Sequence, residues 1–152
     1  MIVKIKNSLI VLLLLFCSVT STVQAEDSKE LSMLSKKFYV AFECSILASK
    51  GGDSNEQERL FLYGYETGKY FIESLEKNKI KKEDFSSNVP MTVSLTLQGP
   101  SADFILGRIF EVALEYALKD VYKSGDKHNS QEVQEIKATT KYQNQNCKLI
   151  GQ

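Results

Sequence analysis

Residues 101–123 read SADFILGRIFEVALEYALKDVYK, and this stretch decides the fold class. Leu106, Ile109, Phe110, Ala113, Ala117 and Val121 recur at three- and four-residue steps, which is one apolar face of a helix. Ser101 stands where an N-cap oxygen accepts from the first turn, and Asp103 complements the positive end of the helix. Gly99-Pro100 just before it breaks any preceding element. An amphipathic helix of this length must bury its stripe against other elements, so its neighbours in sequence have to supply them.

They do so with the same period. Residues 27–50 place Leu31, Leu34, Phe38, Ala41, Phe42 and Ser45 on one face, and Asp27 with Glu30 resembles a capping box. Gly51-Gly52-Asp53 ends that run; Ser54 and Gln57 open a second, to about residue 78, with Leu60, Phe61, Gly64, Gly68, Phe71, Ile72 and Leu75 on a common side. Each glycine costs about 1 kcal/mol against alanine within a helix. Gly64 and Gly68 are therefore read either as a close-packing spacing or as one tolerated glycine and one near a bend.

Two segments are harder to place. Between 79 and 98 a charged run from Lys79 to Asp84 is followed by Val93, Leu95 and Leu97 alternating with Thr92, Ser94 and Thr96. Alternation suggests a strand, but nothing else in the chain pairs with it, so a short helix from Pro90 towards Gly99 is preferred over an isolated extended segment. After a polar loop at 124–129, Asn129 and Glu132 start a last, weakly apolar helix with Val133, Ile136 and Thr140 leading towards Cys147. The expected fold is all-α: a single-domain bundle of about four helices over residues 26–152.

Lys4 and Lys6 precede an apolar run from Leu9 to Phe16, and small residues lead to Val23-Gln24-Ala25. This is the plan of a signal peptide, expected to be cleaved after residue 25, and the run is too short for the ~20 apolar residues of a membrane span. Cys17 follows Phe16 rather than a small residue, which argues against lipid attachment. A periplasmic or secreted chain without a membrane span in its mature part is expected. Its remaining cysteines, Cys44 and Cys147, are expected to form one disulfide in an oxidising compartment.

Residues 26–152 hold 17 of the 19 Lys and Arg and all 19 Asp and Glu, so the mature chain is slightly acidic and offers no electrostatic case for nucleic acid. No cofactor motif is present, and His128, the single histidine, stands in a polar loop without a partner at metal-ligand spacing. Ser74-x-x-Lys77 and Ser124-x-x-Lys127 match a two-letter acyl-enzyme pattern but lack its companion motifs. Glu111 and Glu115, one turn apart after Arg108, make the one carboxylate pair suited to acid and base roles in a small envelope hydrolase.

A second stripe runs along the 54–78 helix: Arg59, Tyr63, Glu66, Tyr70 and Glu73, with Glu56 before them. Tyrosine and arginine are enriched among residues that carry interface energy, so this stripe is the candidate partner-binding surface; the alternative is that both tyrosines only shield the edge of the core. An early helix cysteine, the Tyr63-Gly64-x-x-x-Gly68 segment, a proline-containing connection and a late cysteine resemble the layout of small periplasmic immunity proteins. That resemblance implies partner binding and transfers no individual residue. The expectation is a non-catalytic binding protein of inhibitor or immunity type with a protein partner in the cell envelope.

Overall fold

Helix α1 (Ser28–Lys50) is the element around which the others assemble. The computed structural model describes residues 27–152; the expected signal peptide at 1–25 lies outside the described residues. α1 packs along α2 (Ser54–Glu76) and also touches α3 (Lys82–Asn88), α5 (Ala102–Tyr122) and α6 (Gln131–Asn144). A very short α4 (Met91–Ser94) leans on α5, a two-residue hairpin pairs β1 (Lys123–Ser124) with β2 (Lys127–His128), and a 3-10 turn covers Cys147–Leu149. The four long helices form the expected bundle.

α1 can be central because its burial extends beyond a narrow stripe. Phe38, Ala41, Phe42 and Leu47 are fully enclosed, and Ser32, Ser35 and Ser45 are buried beside them. These small hydroxyls keep the helix slim and are satisfied internally: Ser32 donates to the Lys29 carbonyl, Ser35 to Ser32 and Ser45 to Gln57. Against this surface lie the two glycines of α2. A Cβ at Gly64 would stand 2.9 Å from the Phe42 ring, and one at Gly68 2.5 Å from Leu106. The glycine spacing is thus a close-packing device, and its helix-propensity cost is offset by the contact.

The main core joins Phe38, Phe42, Leu47, Phe71, Ile72, Val93, Leu106, Ile109, Ala113 and Val121 with their neighbours. Apart from it lies a small cluster of Cys44, Leu60 and Cys147, bordered by Val40, Tyr142 and Ile150. The Cys44–Cys147 disulfide is present, with Cα atoms 5.5 Å apart and a sequence separation of 103. It joins the C-terminal half of α1 to the C-terminal turn.

Several local expectations are corrected. Asp53, not Ser54, caps α2 by accepting from the Glu56 amide. Residues 91–98 are helical only to Ser94, well short of Gly99, and the second half of the charged run before them, from Lys82, opens α3. α3 is held to the start of α1 by polar side chains: Ser28 donates to Asp84, the Lys81 amide to Ser28, and Asn88 to Ser32. Ser130, not Asn129, caps α6, because Asn129 turns back to donate to the Val121 carbonyl and seal the end of α5. On α6 the face is rotated: Val133 and Ile136 are exposed, while Ala138 is buried and Tyr142 partly so. A small residue facing α1 lets the helix approach, and Tyr142 reaches the disulfide cluster.

Candidate functional site

α2 has one locked face and one open face, and its open face is the strongest candidate surface. With Gly64 and Gly68 pressed into the core, Leu62 is 50% exposed, Tyr70 39% and Phe61 38%. Phe61, expected on the inner side, sits instead at the edge towards α5. It stacks on Tyr65 and meets Phe110 edge-on at 5.5 Å, while Tyr65 donates to Asp103 at 2.7 Å and Lys69 lies 5.2 Å from the Tyr65 ring. Leu62 and Tyr65 are absent from the stripe read from the sequence. The signal for Leu62 was legible there as an apolar residue off the helix's own core period.

The five stripe residues do not form one uniform surface. Glu66 is exposed and Tyr70 lies on the open face, whereas Glu73 forms an ion pair with Lys77. Arg59 and Tyr63 are partly covered by the chain's own C-terminal segment. Arg59 donates to the Ile150 carbonyl at 2.6 Å, and Gly151 lies so close to Tyr63 that a Cβ there would stand 2.8 Å from the ring. Asn146, with φ 53°, reverses the chain after α6, and the buried Cys147 pins it, so the tail returns across α2.

Arg59 also grips Glu56 with two hydrogen bonds, of 2.9 and 2.8 Å, and Tyr142 donates to the same carboxylate. The Arg59 guanidinium, and after it the Tyr142 hydroxyl, hold the Glu56 carboxyl down at about 2. Partial burial and the bond to Glu56 push Tyr142 up to about 12. Because the folded pKa of Glu56 lies below its unfolded value, its contribution to stability is present above the ordinary carboxylate range and fades as pH falls towards 2. The stability difference between the wild type and Glu56→Gln is therefore expected to shrink on acidification from pH ~5 to pH ~2, measured by urea unfolding. A constant difference across that range would contradict the assignment. Glu56 and Tyr142 border a cleft of about 730 Å³ whose floor is Leu47 and Ala48 and whose far wall is the turn Asn146–Leu149.

Catalytic groupings do not converge. Glu111 and Glu115 are exposed on α5, and Arg108 turns to the Gln98 carbonyl and the Phe104 ring. Ser74 is buried and donates to the Tyr70 carbonyl while Lys77 pairs with Glu73; Ser124 donates to Asn129. Among the described residues no group of three or more His, Cys, Asp or Glu could hold a metal ion, and no helix is long and apolar enough to cross a membrane. In comparisons with known proteins, the chain matches no family model, no curated sequence and no solved structure.

Proposed function

We propose that this protein is an exported, non-catalytic binding protein, of inhibitor or immunity type, that engages a protein partner of the cell envelope through the open face of α2. The observation that carries the reading is the exposure of Leu62 and Tyr70 on a helix whose opposite face is tightly packed. A rigid helix offering aliphatic and aromatic side chains amid Glu66 and Lys69 has the makeup of an interface core with a charged rim. Arg59 holds the C-terminal segment beside that surface, and Tyr63 packs under its Gly151.

The test is affinity capture from periplasmic extract with the oxidised chain lacking residues 1–25, and identification of what is retained by mass spectrometry. Leu62→Ala or Tyr70→Ala is expected to weaken binding of the captured protein by about 2 kcal/mol. Tyr63→Ala is expected to lower the melting temperature as well, because its ring packs under Gly151. Unchanged affinity in both open-face variants, or no protein retained, removes the reading.

A further inference from the structure

Beside the open face of α2, the C-terminal segment completes a hollow of about 340 Å³, lined by Lys36, Lys37 and Val40 of α1, Tyr63 of α2, and Ile150 and Gly151 of the tail. We propose that this hollow receives an acidic segment of the partner, with one apolar side chain seated among Val40, Tyr63 and Ile150 and flanking carboxylates on Lys36 and Lys37. The inference rests on the reading of the protein as a partner-binding module and adds the chemistry of what it binds.

Three features support it. First, the walls are fixed before binding: Cys147 ties the tail to α1, Arg59 holds the Ile150 carbonyl, and Gly151, with φ 72°, lies flat against the Tyr63 ring as a residue with a Cβ could not. A site ordered in advance spends little binding energy on its own ordering. Second, the floor is apolar while the rim is cationic. Lys36 and Lys37 each stand within one turn of Val40, and the positions three and four residues away from either lysine hold no acid. The ion pairs among the described residues are Arg59–Glu56 and Lys77–Glu73, so neither lysine is neutralised by one. Third, the volume lies at the small end of the ~300–1,000 Å³ range of ligand pockets, suited to a side chain rather than the acyl chains of a membrane lipid. A basic rim without an ion pair among the described residues, on a chain whose residues 26–152 are acidic overall, marks a local complement to negative charge.

The experiment titrates the oxidised mature protein into a short fluorescein-labelled peptide of Glu and Asp interspersed with Leu, followed by anisotropy. Its controls are an isosteric Gln and Asn peptide and phosphatidylglycerol vesicles. The acidic peptide is expected to bind about tenfold more tightly than the amide peptide. The preference should collapse as salt shortens the screening length from ~10 Å at 0.1 M to ~3 Å at 1 M. Lys36→Glu/Lys37→Glu should weaken binding about tenfold with an unchanged melting temperature. Gly151→Val, which lifts the tail without altering charge, should weaken it too. Equal binding of both peptides, no peptide binding, indifference to the lysine reversal, or binding confined to vesicles overturns the proposal. A captured protein that loses affinity in Leu62→Ala and Tyr70→Ala but not in the lysine variant overturns the hollow and leaves the α2 reading standing. Lysine-dependent peptide binding with no captured protein does the reverse.

Discussion

Replacing Cys44 and Cys147 together by serine is expected to destabilise the protein by about 4–5 kcal/mol, since the bridge closes a loop of 103 residues in the unfolded chain. For a domain of this size that corresponds to a fall in melting temperature of roughly 15 °C. The folded state should respond as well, and locally. From 145 onwards Cys147 is the single buried residue, and the tail is otherwise held by Arg59 on the Ile150 carbonyl, by Ile150 against the disulfide cluster and by the contact of Gly151 with Tyr63. Without the bridge, amides of residues 146–151 should exchange far faster than those of α1 or α5, because the disulfide cluster is separate from the main core. Thermal melting by circular dichroism and hydrogen exchange read the two effects separately. A loss of only a few degrees with a protected tail would show that the bridge is redundant.

Phe42→Ala is expected to cost about 3–5 kcal/mol, as for other buried phenylalanines. Phe42 is 1% exposed, and its ring meets Phe38 at 6.0 Å, Phe61 at 5.9 Å and Phe110 at 5.3 Å, so three helices lose a shared contact at once. The sharper result lies in a double-mutant cycle with Gly64. In the wild type Gly64→Ala drives a methyl to within 2.9 Å of the Phe42 ring, and overpacking should outweigh the ~1 kcal/mol gained in helix propensity. In the Phe42→Ala background the ring contacts are gone and only a 3.3 Å approach to the Ala41 Cβ remains, so Gly64→Ala should stabilise or be near neutral. Reversal or loss of the penalty identifies the glycine as a packing device; destabilisation by the same amount in both backgrounds would refute it.

The sequence was most informative where one helix face decides everything. Leu31, Phe38, Leu60, Phe71, Leu106, Ile109, Ala113 and Val121 are buried as their spacing requires, and Ser101 caps α5 by accepting from the Phe104 amide. It was least informative where polar side chains or single small residues make the contact. α3 contains no fully buried residue and is held largely through Ser28 and Ser32. α6 buries Ala138 rather than its larger Val133 and Ile136, because proximity to α1 favours the small side chain. Periodicity weighs apolar size and is blind to both.

By itself the sequence determined the helical class, the order of the long helices, the disulfide partners and the glycine-bearing face of α2. Each follows from interactions between residues close in the chain, or, for the disulfide, from there being two cysteines in residues 26–152. The division of the Arg59–Glu73 stripe was decided only by the tertiary structure. Whether Arg59 and Tyr63 face solvent depends on where residues 147–151 return after α6, some ninety residues later. That return is set by a left-handed Asn146, a buried bridge and a guanidinium that reaches across to a carbonyl. Contacts between segments so distant in sequence leave no period in either one, which is why the tail and the lysine-rimmed hollow emerge only from the folded chain.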